Sequence, residues 1–151
     1  MAAGLFLLIY RPFKAGEMVE VEGSKGVVEE VTIVNMQMTT TDGVRVIMPN
    51  SKVWGAKITN FSMANQRLIE IIVKLPRRDA QKAIEIIHGL LAQDDRILNK
   101  PEPAVTVSSL ADNAAALTAS AWVKPADFQA TLHDQYLKVL SALESAGIET
   151  V

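Results

Sequence analysis

The sequence predicts an α+β chain made of two small units in series, an all-β unit followed by a ferredoxin-like one. Three observations predict it. Apolar residues alternate with polar ones at period two from Glu17 to about Phe61. Helical periodicity appears only later, over about 79–93 and 127–146, and strand-like runs precede and separate those two segments. At 151 residues the chain has room for one domain or two small ones, since domains commonly run to roughly 100–200 residues. Composition narrows the function classes. With 15 Lys+Arg against 17 Asp+Glu, a net charge of -2 and only 5% aromatics, the chain lacks the cationic footprint and the stacking rings of a typical nucleic-acid binder. It has no cysteine, so disulfides, thiolate zinc sites and cysteine nucleophiles are excluded.

The segment from Met1 to Tyr10 is uncharged and rich in Leu, Phe and Ile, and it stops at Arg11-Pro12-Phe13-Lys14. A secretory signal would place its basic residues before the apolar run rather than after it. As a helix, ten residues rise only about 15 Å, half of a ~30 Å hydrocarbon core. Leaving Leu5, Phe6, Leu7, Leu8 and Ile9 in water would forgo roughly 1.5–3 kcal/mol for each side chain. Three covers are open: a membrane interface, neighbouring subunits, or the domain's own core with the segment as a strand. Tyr10, Arg11 and Lys14 suit a headgroup boundary. Pro12 ends any helix, because it pushes residue 11 out of the α region.

Next come the short strands. Val19 and Val21 alternate with Glu20 and Glu22, and Gly23 to Gly26 turns the chain. Val27 to Val34 is rich in β-branched residues, Met36 and Met38 follow in alternation, and Asp42-Gly43 marks a hairpin before Val44, Val46 and Met48. With Lys57 to Phe61 as the last, this makes five strands in about fifty residues, a density that suits a closed or nearly closed barrel of the Sm-like, SH3-like or OB type. Pro49-Asn50-Ser51 reads as a turn in which Asn50 hydrogen-bonds its own backbone. Trp54 reads as a packing residue.

The remainder has the order β-α-β-β-α. Leu68 to Lys74 is an apolar strand, and a helix follows from the N-cap candidate Asp79 with Ala80, Ala83, Ile84, Ile87, Leu90 and Leu91 on one stripe. Asp94-Asp95 ends it, and strands are expected over 104–108 and 115–123. The last helix starts near Asp127 and stops at Gly147, a C-cap candidate. This is a split βαβ layout whose final strand should come next, whereas only Ile148 to Val151 remain. Both ends read as cut.

Catalytic chemistry has little support. His88 and His133 fall one on each helix, without metal-ligand spacing, so no metal and no cofactor are expected. No phosphate-binding lysine loop, dinucleotide glycine motif or nucleophile elbow is present. Asp94, Asp95 and Asp127 fall at helix ends, where carboxylates are routine. Arg77-Arg78 reads as a solvated turn. The chain is expected not to be an enzyme.

Read together, Ala2-Ala3-Gly4 with its apolar run, R-P-F-K-A-G-E at 11–17, T-x-D-G at 40–43, I-M-P-N at 47–50, I-T-N-F-S at 58–62 and D-R-I-L at 95–98 resemble the small-conductance mechanosensitive channel (MscS) family. The resemblance covers essentially the whole chain. It implies residues 1–12 as the end of a pore helix at the membrane interface, 13–62 as a Sm-like five-stranded β barrel, and 63–151 as a ferredoxin-like domain lacking its complete last strand. Gly4, Leu5, Phe6, Leu8, Ile9 and Tyr10 would form the helix end. Arg11, Pro12 and Phe13 would form the bend into the barrel, and Pro49, Asn50 and Ser51 the barrel turn that faces the membrane helices. Where many members carry glycine after the P-N pair, this sequence has Ser51.

The function implied is the cytoplasmic vestibule portion of a tension-gated channel that releases ions and small solutes on osmotic downshock. The expected partners are sister chains in a homoheptamer and membrane lipid at residues 4–10, in the inner membrane with this portion on the cytoplasmic side, and no nucleic acid. As written, the chain is expected to be a fragment that does not conduct. The alternative is a soluble module in which a Sm-like barrel and a ferredoxin-like domain bind RNA, since both folds host RNA binders.

Overall fold

The computed structural model describes residues 2–10 and 12–151. The chain divides into two compact units, Met1–Asn65 and Gln66–Val151.

The first unit contains helix α1 (Ala2–Tyr10), strands β1 (Met18–Val21), β2 (Ser24–Val31), β3 (Asn35–Thr40) and β4 (Arg45–Pro49), the short helix α2 (Asn50–Trp54) and strand β5 (Ile58–Asn60). The five expected strands form one antiparallel sheet in the order β4-β3-β2-β1-β5. Among the described residues no ladder joins β4 to β5, so both keep a free edge. Val19, Val21, Val28, Met36, Met38 and Met48 fill the core from alternate strand positions, and Phe13, Val53 and Leu7 close it.

Two details differ from the sequence expectation. The run expected to extend to Val34 stops at Val31, because the Thr32 hydroxyl accepts the backbone N–H groups of Val34 and Asn35 and folds the chain into a turn. The expected turn at 49–51 is instead the start of α2: Pro49 sits at its N-cap with φ -60, and the helix begins at Asn50.

The second unit contains strand β6 (Arg67–Pro76), a 3-10 turn (Arg77–Asp79), helix α3 (Ala80–Ala92), strands β7 (Ala104–Leu110) and β8 (Ala114–Val123), a second 3-10 turn (Pro125–Asp127) and helix α4 (Phe128–Ser145). The sheet order is β6-β8-β7, antiparallel throughout. This is the split βαβ arrangement: β8 returns between two strands that are parallel to each other. Ile69, Ile71, Val73 and Leu75 alternate on β6 and pack with Ile87 and Leu91 of α3 and Val139 and Leu143 of α4. Asp79 precedes α3 as expected but makes no side-chain capping bond, because the 3-10 turn holds its backbone in a helical conformation. At the end of α4, Gly147 takes φ 75 and the Ile148 N–H donates to the Leu143 carbonyl at 2.9 Å, a Schellman-type stop that glycine favours. Ile148 is buried, and the Val151 N–H donates to the Lys74 carbonyl on the outer edge of β6 at 2.8 Å.

Candidate functional site

The candidate site lies in the first unit, where the sequence motifs converge on the docking face of α1. This segment is a helix, not the strand that the sequence left open, and its own unit covers one side of it. Leu7 is 2% exposed and Gly4 is buried, whereas Leu5 is 56% and Ile9 63% exposed. Positions 4 and 7 share one face through the 3.6-residue period, and positions 5 and 9 share another. A glycine is required at the contact: a Cβ built on Gly4 would stand 1.8 Å from the Ile33 carbonyl oxygen, which is backbone and cannot rotate away.

A second contact is aromatic. Phe6 stacks on Trp54 with ring centroids 5.0 Å apart, and Tyr10 approaches the same indole at 6.0 Å. Trp54 is thus a packing residue that remains 46% exposed. Asn50 ties the start of α2 to the turn that carries Ile33: its Nδ2 donates to the Thr32 carbonyl at 2.6 Å, and its backbone N–H donates to the Val34 carbonyl at 3.0 Å. This corrects the local reading of Asn50, which bonds across the unit rather than to its own turn. Pro49 and Ser51, on either side of it, are exposed.

The chain leaves α1 through Pro12 and Phe13. Phe13 is buried in the core, and the Pro12 carbonyl accepts a hydrogen bond from Asn60 Nδ2 at 3.0 Å. That amide also reaches Glu17 Oε1 at 3.3 Å, and the Glu17 carboxylate accepts the Lys14 backbone N–H at 2.6 Å. Two motifs far apart in sequence, 11–17 and 58–62, therefore meet through Asn60. Arg11 lies outside the described residues. In the T-x-D-G turn, the Thr40 hydroxyl donates to the exposed Asp42 carboxylate and, followed by the backbone of Asp42, lowers its pKa.

The sequence reading missed Thr32 and Ile33, whose only local signal is a threonine beside two β-branched residues. It also missed Asn60 as a bridge; an asparagine within a strand, where the residue is disfavoured, is the available hint.

The second unit holds one buried ionic cluster. Asp94, with its side chain 4% exposed, receives Arg96 Nε and Nη2 at 3.0 and 2.9 Å and Gln135 Nε2 at 2.8 Å, while Arg96 Nη1 reaches Asp134 at 2.9 Å. The Arg96 guanidinium holds the Asp94 carboxyl well below the usual carboxylate range despite the opposing effect of burial. Asp94 and Asp134 in turn hold Arg96 more firmly protonated. All of its oxygens engaged in structure, Asp94 is a tie between α3 and α4 and not a free acid or base. Among the described residues no group of three or more His, Cys, Asp or Glu is placed to hold a metal ion, and no helix is long and apolar enough to cross a membrane.

These parts match known proteins in the same order. Residues 1–63 match the model of the mechanosensitive ion channel beta-domain, and residues 69–150 that of the C-terminal domain of mechanosensitive ion channel MscS. The chain belongs to the MscS family of mechanosensitive ion channels. It is 33% identical over 150 residues to an uncharacterized MscS family protein of Archaeoglobus fulgidus, covering 99% of this chain and 53% of that one. It is 31% identical over 148 residues to the small-conductance mechanosensitive channel of Edwardsiella ictaluri, covering 97% of this chain and 52% of the relative. The chain thus spans about half the length of the curated relatives it matches. In fold it is similar to Helicobacter pylori MscS in its closed state, with a TM-score of 0.89 at 23% identity over 99% of this chain and 60% of that one.

Proposed function

We propose that this chain forms the end of the pore helix and the cytoplasmic vestibule portion of a tension-gated channel, which releases ions and small solutes on osmotic downshock. The observation that carries the reading is the two-sidedness of α1. One face, Gly4 and Leu7, is seated on the β unit, while Leu5 and Ile9 present an apolar face outward beside the exposed aromatic Tyr10. A helix so placed couples whatever its outer face touches to the Thr32–Asn35 turn and to α2. Displacing α1 forces a change at Ile33 and Trp54, because a backbone contact at Gly4 and a ring stack at Phe6 cannot slide without being broken.

On this reading the outer face meets membrane lipid or the neighbouring helix of a sister chain, Arg11, Pro12 and Phe13 make the bend, and Pro49, Asn50 and Ser51 face the membrane helices. Function is then carried by assembly, without a catalytic residue. The free edges of β4 and β5 support a homo-oligomer, since strand edges template pairing with another chain; a heptamer is the assembly proposed. The fragment itself does not conduct, and it lies on the cytoplasmic side of the inner membrane.

The test is co-flotation with phospholipid vesicles. The wild-type chain floats, and a Leu5→Asp, Ile9→Asp double variant, whose substitutions fall on exposed positions, stays at the bottom of the gradient with its circular dichroism unchanged. Equal flotation of the two proteins, or no flotation of either, contradicts lipid contact through α1.

A further inference from the structure

The turn between β3 and β4 holds the one Asp-Gly pair of the sequence, Asp42-Gly43, and the sequence has no Asn-Gly pair. In such a dipeptide a carboxyl side chain stands beside a backbone nitrogen that no neighbouring side chain shields. The nitrogen can attack the aspartate Cγ: the N–Cγ bond forms, the nitrogen gives up its proton, and a carboxyl oxygen departs as water, leaving a five-membered succinimide. Water then opens the ring. Opening at Cγ restores aspartate, whereas opening at the main-chain carbonyl leaves isoaspartate, whose backbone runs through Cβ and Cγ and is one carbon longer. The attack requires a protonated carboxyl, because an ionised oxygen is a poor leaving group, and a nitrogen free to swing toward Cγ.

In the folded chain Thr40 withholds both. Its carbonyl accepts the Gly43 N–H at 3.0 Å, which ties down the attacking nitrogen. Its hydroxyl donates to Asp42 Oδ1 and accepts the Val44 N–H at 3.0 Å. A hydrogen bond to the ionised form of a carboxyl favours that form, and the pKa of Asp42 is accordingly lowered, with the Thr40 hydroxyl as the largest cause. The Thr40 N–H donates to the Val44 carbonyl at 2.8 Å and closes a three-residue hairpin loop. Gly43 takes φ 88 at the last position of that loop, so the glycine that makes the pair reactive is also the residue the loop needs there. Asp42 and Gly43 are both exposed, and water has access to the ring if it forms.

We infer that Asp42 is the isomerisation site of this chain and that Thr40 guards it, so that isoaspartate forms there only when the Thr40 hydrogen bonds open. The consequence reaches beyond the loop. Loop length fixes the register of a hairpin, and this one sets Thr39 opposite Arg45 and Met36 opposite Met48. Met36 and Met48 are core residues, so an extra backbone carbon at the exposed tip disturbs the core through the register. The inference concerns this turn alone and does not depend on the function proposed above.

Ageing of the full chain at neutral pH tests the inference. The protein is held below its melting midpoint in water labelled with heavy oxygen, which ring opening incorporates, and isoaspartate in the peptide that carries Asp42 is quantified by mass and chromatographic retention. Thr40→Ala, which loses the hydroxyl, is expected to isomerise severalfold faster than wild type, and Thr40→Ser, which keeps it, to stay close to wild type, with circular dichroism unchanged in both. In denaturant, where the turn is open, all three proteins should react at one common, faster rate. Equal rates for folded wild type and folded Thr40→Ala, or a Thr40→Ser variant as fast as Thr40→Ala, would overturn the guarding role. The wild-type chain also carries the test without any variant: a folded chain that isomerises as fast as the denatured one contradicts protection by the turn, and denatured chain without isoaspartate at Asp42 contradicts the site itself.

Discussion

Replacing Gly4 by alanine sets two effects against each other. Alanine favours a helix interior over glycine by about 1 kcal/mol, which on an unpartnered helix would stabilise. Here the added methyl falls 1.8 Å from a backbone oxygen, and overpacking that no rotamer can relieve typically costs ~1–3 kcal/mol. The second effect wins. Gly4→Ala is therefore expected to lower the thermal midpoint of the chain and to increase exposure of Trp54 to a fluorescence quencher, as α1 lifts from the Ile33 turn. An unchanged midpoint with unchanged quenching would show that α1 does not rest on that carbonyl. Gly4 was legible in the sequence only as part of a motif. Nothing within ten residues of it foretells contact with Ile33, because the turn that presents the carbonyl is organised by Thr32 and tied down by Asn50, both more than 25 positions away.

At the scale of elements, the Asp94 cluster fastens the loop after α3 to α4 through Arg96, Asp134 and Gln135. The carboxyl has a lowered pKa in the folded chain, so its contribution is complete above the unfolded value of roughly 3.9 and is lost as the pH falls below about 4. Asp94→Asn is expected to cost ~1–3 kcal/mol at neutral pH, toward the lower end because Arg96 is 30% exposed. The variant should also lose stability less steeply than wild type between about pH 5 and pH 2, followed by thermal melts across that range. Parallel pH profiles would place the stabilisation elsewhere. The helices that this cluster joins were readable from periodicity, since the stripe Ala83, Ile87, Leu91 recurs at helical spacing. The cluster was not readable, because Gln135 falls 41 residues from Asp94 and a lone glutamine on a helix carries no pairing signal. The short β strands were readable wherever one face is wet, as in Val19 and Val21. They were misjudged at Val34, where a hydroxyl-built turn overrides β propensity.

For the whole molecule, the sequence disclosed the order of parts and the odd apolar beginning, while the structure assigns that beginning two faces with different fates. A burial cost spread over five side chains asked for a cover, and the chain's own unit supplies it for Leu7 but leaves Leu5 and Ile9 outward. The remaining cover is external on this account, and so are the partners of the β4 and β5 edges. The function proposed above would meet both requirements at once, with a ring of sister chains whose N-terminal helices gather at the membrane face. The most direct test is the mass of the 16.4 kDa chain by light scattering in mild detergent. A mass of seven chains is predicted; a monomer at all protein concentrations, with and without detergent, would contradict the account.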